Sequence, residues 1–202
     1  QAVEKVIEAG KSCASSLLEA SIADIEFHRG RYVIAGTDRS VSLEEVVSEE
    51  AGLSAEAVFK PGWSAFPNGT HVCEVEIDPE TGKVFVCRYV TVDDVGTVLN
   101  PLLLEGQIQG GVAQGMGQAL MEIIQFDTAS GQLVTGSFMD YAMPRADDIC
   151  AIETASRPVP TAFNPLGVKG AGEAGTVGAV PVVMCAIANA LAAVGVDDID
   201  MP

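Results

Sequence analysis

Positive charge is scarce in this chain: 11 Lys and Arg stand against 28 Asp and Glu, a formal net charge of −17 over 202 residues. So few cations cannot neutralise the phosphates of a long nucleic acid, which calls for clustered Lys and Arg. A local anion site stays open, built from backbone N–H groups and helix N-termini. Cysteine is present but unpatterned. Cys13, Cys73, Cys87, Cys150 and Cys185 are odd in number, scattered and without CxxC spacing, which excludes an encoded zinc or iron–sulfur site; the sequence assigns no metal-ligating side chain. They read as reduced, buried thiols of a cytoplasmic protein, with Cys73 and Cys87 facing each other across a hairpin as the one pair placed to bridge. No signal peptide is visible, Gln1 reads as an internal start, and the final Asp-Asp-Ile-Asp-Met-Pro reads as the end of an excised segment. An uninterrupted apolar span is also lacking. The longest apolar stretch, Val177–Val194, is broken by Gly178, Pro181 and Asn189, which suits a core helix better than a membrane span.

What is there is globular material: nearly half the residues are hydrophobic and a fifth charged, enough for the core of one large domain or two small ones. Residues 2–20 carry Val3, Val6, Ile7, Ala14, Leu17 and Leu18 on one helical face. Strands are expected over 24–27 and 31–35, around His28-Arg29-Gly30. Ser42-Leu-Glu-Glu has capping-box spacing ahead of a short helix through Val47. From His71 the alternation of Cys73, Val75 and Ile77 with Glu74 and Glu76 marks a strand, and the turn at 78–82 leads to a second strand over 83–92. A long helix is expected from Asn100-Pro101 to about Ile124, a hairpin over 125–138, a strand over 149–154 and a last helix over 176–194. This mixed order gives an α+β fold, hairpins packed with two long glycine-containing helices, without regular βαβ alternation. Two regions are expected: 1–70, the end of an amphipathic helix plus a small hairpin region, and 71–202, which holds the segments described next.

Two of those segments carry chemistry. In Asn164-Pro-Leu-Gly-Val-Lys-Gly-Ala-Gly-Glu-Ala-Gly-Thr-Val-Gly178 a single carboxylate, Glu173, sits among glycines that lead into an apolar helix. Glycines let such a loop turn N–H groups onto an anion, and the helix N-terminus adds partial positive charge. A solvated surface loop explains the same residues equally well. In Glu105-Gly-Gln-Ile-Gln-Gly-Gly-Val-Ala-Gln-Gly-Met-Gly-Gln118 the amides of Gln107, Gln114 and Gln118 alternate with glycines that each cost about 1 kcal/mol relative to Ala in a helix. Either a polar heterocycle or phosphate lies on that bare backbone, read by the amides, or a second helix crosses there.

Taken together, Asp-Val-Gly-x-x-x-Asn-Pro from Asp94, Gly-Gln-x-x-Gly-x-x-x-Gln-Gly-x-Gly from Gly106, Phe-Met-Asp-Tyr-x-Met-Pro from Phe138 and Lys-Gly-x-Gly-Glu from Lys169 resemble the xanthine dehydrogenase/aldehyde oxidase/aerobic carbon monoxide dehydrogenase-like molybdenum hydroxylases. The resemblance is to the C-terminal part of their molybdopterin-binding large subunit. It covers nearly the whole chain, most strongly residues 90–195.

The resemblance implies hydroxylation of an aldehyde or N-heterocycle carbon with water, at a molybdenum held by a molybdopterin cytosine dinucleotide. Electrons would leave through iron–sulfur and FAD centres in partner subunits. By the same resemblance Glu173 is the general base beside the metal, Gln107 the amide that hydrogen-bonds the cofactor, and Lys169, Gly170, Ala171 and Gly172 the loop whose backbone meets the pterin. Gln114 is a further cofactor contact. The rest of the large subunit would supply a second glutamine, another cofactor loop and the substrate funnel, so this chain by itself would be inactive. Ala-Gly-Thr follows Glu173 where some relatives carry Ser-Pro or Pro-Pro, a departure that bears on substrate choice. The carbon monoxide-specific cysteine loop, which lies upstream in that family, has no counterpart here. Two competing expectations are a non-catalytic scaffold of the same fold and an anion- or nucleotide-binding module without metal.

Overall fold

The computed structural model describes residues 1–49, 53–196 and 198–202. The chain divides into two compact units, Gln1–Lys60 and Pro61–Pro202, a boundary ten residues earlier than the 70/71 division expected from the sequence. In the first unit, helix α1 (Ala2–Leu18) accompanies an antiparallel sheet of β1 (Ile25–His28), β2 (Arg31–Ile34) and β3 (Ser40–Ser42), followed by α2 (Leu43–Glu49). The core is Ala14, Leu18, Ile25, Tyr32, Val41 and Val46. Gly10, Ala14 and Leu18 form the buried stripe of α1, whereas Val3 and Leu17, expected on the apolar face, are exposed. The capping box forms as its spacing predicts. Ser42 N–H and Oγ donate to Glu45 Oε2 at 2.7 and 2.8 Å, and Glu45 N–H donates back to Ser42 Oγ at 3.1 Å.

The second unit is built on the hairpin of β4 (Asn68–Ile77) and β5 (Val84–Asp94). Its turn is closed by Glu80 N–H and Thr81 Oγ1 donating to the Asp78 carboxylate, each at 2.8 Å. Cys73 lies opposite Tyr89, while Cys87 occupies the irregularity between the Glu74–Arg88 and Val75–Val86 pairs. The expected Cys73–Cys87 facing pair therefore does not form: the hairpin register sets Tyr89 opposite Cys73, and Cys87 falls in the bulge. None of the five cysteines forms a disulfide, and Cys87 and Cys185 are exposed rather than buried.

Strand β6 (Ile152–Ser156) runs parallel to β5, three residues later than the sequence suggests. The hairpin expected over 125–138 is also corrected. Only an isolated bridge between Phe126 and Leu133 forms there, and exposed Ile124, Phe126, Leu133, Val134 and Phe138 leave no buried face to fix a register.

Helix α3 (Pro101–Leu120) stops four residues short of its expected end; it begins at the Asn100 cap, whose Oδ1 accepts Leu103 N–H at 3.2 Å, with Pro101 at the first position. Helix α4 (Ala174–Ala192) packs on α3 and β4. It is long and apolar enough to cross a membrane by length and composition, yet it buries Gly175, Ala179, Val183 and Ile187 as a helical stripe. With Tyr89, Ile108, Val112, Met116 and Ala119 this stripe makes the core.

The α3 glycines separate into two kinds. A Cβ on Gly111 would stand 3.0 Å from Thr176 N, and one on Gly115 2.6 Å from the Ala179 Cβ, while Gly106 and Gly110 face open space. Across the contact, a Cβ on Gly175 would overlap Ile108 O. Glycine is therefore required where the two helices cross and not one face away. Gly175→Ala should destabilise the fold by about 1–3 kcal/mol through overpacking, and Gly110→Ala should stabilise it by about 1 kcal/mol. Thermal or urea unfolding of the two variants is expected to shift in opposite directions.

Candidate functional site

The two motif-bearing stretches meet through their backbones. After β5 the chain turns at Gly96, φ +66°, against Gly167, φ +69°, and a Cβ at Gly96 would overlap Gly167 O. Thr97 N–H donates to Gly167 O at 2.9 Å and Lys169 N–H to Val95 O at 2.8 Å. Asn164 closes the loop from below, its Nδ2 donating to Val168 O at 2.8 Å and its Oδ1 accepting Val168 N–H at 3.1 Å.

Lys169 Nζ then reaches Asp94 Oδ2 at 2.6 Å, with both side chains nearly buried. Asp94 Oδ1 also accepts Gly96 N–H and Val159 N–H, each at 2.9 Å. The Lys169 hydrogen bond above all, then the two N–H groups, holds the Asp94 carboxyl down to about 2. The lysine side chain thus braces the loop, leaving the backbone of residues 170–172 as its outward face.

That face lies beside α3. Gln107 Nε2 donates to Gly172 O at 2.7 Å, and Thr176 Oγ1 donates to Gly111 O at 3.0 Å. Gly170 and Gly172 have open space where a Cβ would stand. The amide of Gln107 commits one donor to the loop and keeps its carbonyl oxygen and second N–H for another partner. A hollow of about 420 Å³ is lined there by Asn100, Leu103, Gln107, Lys169, Ala171 and Gly172 among others.

Glu173 caps α4, which starts two residues earlier than the sequence suggests, and its side chain makes no capping bond. It projects into a second cleft of about 830 Å³, with Gly170 and Gly172 in its rim and Val177, Pro181 and Val182 as an apolar wall. Gln114 lies on the same exposed face of α3 as Gln107, roughly 10 Å along the axis, and lines neither hollow.

The floor of the Glu173 cleft holds a group that sequence reasoning missed. His71 and Asp93 line it, their side chains almost wholly buried. His71 Nδ1 is 2.6 Å from Tyr89 Oη, and His71 Nε2 is 3.4 Å from Asp93 Oδ1, whose other oxygen accepts the Thr91 hydroxyl. Burial pushes the Asp93 carboxyl up, but the His71 and Thr91 hydrogen bonds outweigh it and leave it below the ordinary value. Burial raises Tyr89, keeping it a donor. The alternation of β4 and β5 placed these positions on the inner face; nothing in the spacing joined residue 71 to 93. Among the described residues no group of three or more His, Cys, Asp or Glu is arranged to hold a metal ion.

The Asp94–Lys169 brace has a pH consequence. Because the folded carboxyl lies below its unfolded value near 3.8, it contributes stability above about pH 4 that is lost as the pH falls through about 2. Acid unfolding followed by circular dichroism should contain this component over about pH 4–2, and Asp94→Asn should remove it.

A family profile described as molybdopterin cofactor-binding domain matches residues 1–150. The chain is 35% identical over 199 residues to the 6-hydroxypseudooxynicotine dehydrogenase complex subunit gamma of Paenarthrobacter nicotinovorans, covering 93% of this chain and 25% of that protein. It is 32% identical over 211 residues to the carbon monoxide dehydrogenase large chain of Hydrogenophaga pseudoflava, covering 100% and 26%. The solved structure of reconstituted CO dehydrogenase from Oligotropha carboxidovorans superposes with a TM-score of 0.80 at 30% identity, again over 100% of this chain and 26% of that one. The chain spans about a quarter of the length of these relatives. On the profile match and on the α+β fold shared with that structure, this chain belongs to the molybdopterin cofactor-binding domain family.

Proposed function

We propose that this chain is the part of a molybdenum hydroxylase that supplies the catalytic carboxylate, Glu173, and one wall of the cofactor cradle. The observation that carries this reading is the Gln107–Gly172 hydrogen bond. It joins the amide-bearing face of α3 to the loop that ends in Glu173, so that an amide and a carboxylate flank one strip of bare backbone. The strip suits a polar heterocycle: the backbone at Gly170 and Gly172 is uncovered, and Gln107 keeps one donor and one acceptor for it.

When bound, a molybdenum–molybdopterin cytosine dinucleotide supplies the two-electron chemistry of the reaction, R–H plus water giving R–OH, two protons and two electrons. Gln107 and the backbone of Gly170, Ala171 and Gly172 hold the pterin side. Lys169 acts from behind, keeping the loop in place through Asp94. A carboxylate oxygen of Glu173 takes the proton released as water's oxygen is transferred to the substrate carbon. The apolar wall of Val177, Pro181 and Val182 favours a small organic substrate, an aldehyde or an N-heterocycle.

The remaining three-quarters of the large subunit would complete the cradle. Iron–sulfur and FAD subunits would carry the electrons away, in keeping with relatives named as a subunit gamma and a large chain. In the intact molybdenum-loaded enzyme, Glu173→Gln should lower kcat by about 10²–10⁴-fold with molybdenum content unchanged. Turnover at the wild-type rate would overturn the assignment.

A further inference from the structure

We propose that His71 is a positioning residue for Glu173: a ring wedge, locked by Tyr89 and Asp93, that fixes the first turns of α4. The inference rests on Glu173 being the proton acceptor and extends that reading to what aims the carboxylate. The Glu173 side chain makes no capping hydrogen bond to its own helix, while Glu173 O accepts Val177 N–H at 3.0 Å, so the direction of the carboxylate follows from where the start of α4 is held.

On one side α3 holds it, through Gln107 on Gly172, Thr176 on Gly111 and the close fit of Gly175 over Ile108 O. On the β4 side the support is the His71 ring, which lies so close under Gly178 that a Cβ there would overlap the ring's Cε1 and Nδ1. Gly178 stands five residues after Glu173, on the same cleft.

The wedge is itself held by two residues, Tyr89 and Asp93. Tyr89 Oη meets Nδ1 at 2.6 Å, Asp93 faces Nε2, and the Tyr89 ring stands edge-on at 85° with centroids 5.7 Å apart. Thr91 then orients Asp93. Such a chain of buried hydrogen bonds fixes ring rotation as well as position. A carboxylate that must meet a reacting oxygen within hydrogen-bond reach tolerates little displacement, and a shift of about 1 Å costs roughly 10²-fold in rate.

Two measurements test the wedge. In the molybdenum-loaded enzyme, His71→Ala should lower kcat about 10²-fold with KM within about twofold and molybdenum content unchanged, and His71→Gln, which keeps an amide for Tyr89 or Asp93, should restore most of the loss. Hydrogen exchange should show faster amides over residues 174–178 in His71→Ala, with residues 111–119 of α3 at wild-type rates. Gly178→Ala should produce the same local loosening, and combining it with His71→Ala should give less than the sum of the two.

Wild-type kcat in His71→Ala, or exchange accelerated uniformly through residues 61–202, would overturn the proposal, the second result marking His71 as a general stability residue. Should Glu173→Gln turn over normally, the proton-acceptor reading fails instead, and the exchange data still decide whether His71 holds α4.

Discussion

The crossing of α3 and α4 at backbone distance is the constraint on which the rest of this molecule depends. Gly111 and Gly115 on one helix, and Gly175 on the other, remove the side chains that would keep the axes apart. The helices then close on hydrogen bonds as well as on apolar contact, with Thr176 bonded to Gly111 O. Helix glycines weaken an isolated helix, and here the loss is offset by what close approach permits: a core of Ile108, Val112, Met116, Ala179 and Val183, and a start of α4 that stands against Gln107. A separation of even one methyl group would part Gln107 from Gly172.

Much of this was legible in the sequence because it is written in local patterns. Ser42 and Glu45 sit at capping-box spacing, Asn100-Pro101 announces a helix start, and residues 73–77 alternate strictly; each becomes the element its pattern specifies. The convergence of the two glycine-rich stretches was legible at one remove, since bare helical backbone needs a partner. Glu173 and Gln107 do flank one loop, although each opens on its own hollow. Gln114 points along the same helix face without reaching either, since helical phase gives a shared face and not a shared depth.

What escaped the sequence is non-local or irregular. Asp94 and Lys169 are 75 residues apart, and nothing in either motif shows that the lysine would spend its charge on the aspartate. The same holds for His71, Tyr89 and Asp93, which look like ordinary strand residues until register places them together. Cys73 and Cys87 do not face each other because the hairpin register, set by the turn and the bulge together, brings Tyr89 opposite Cys73, and neither the register nor a bulge can be read from alternation alone. The segment 125–138 has turn residues and apolar residues in hairpin order, yet its apolar side chains stay in solvent, and strand pairing without a buried face is weakly specified.

Gly172 borders both the hollow beside Gln107 and the cleft in front of Glu173, so the loop is a partition one backbone thick. Room gained on one side of such a wall is room lost on the other. On the proposed function, a bulkier occupant of the Glu173 cleft could not be accommodated by shifting this segment without taking room from the hollow beside Gln107. The freedom to change lies instead on the far side of the cleft, the apolar face of α4, where side chains can vary without moving the wall.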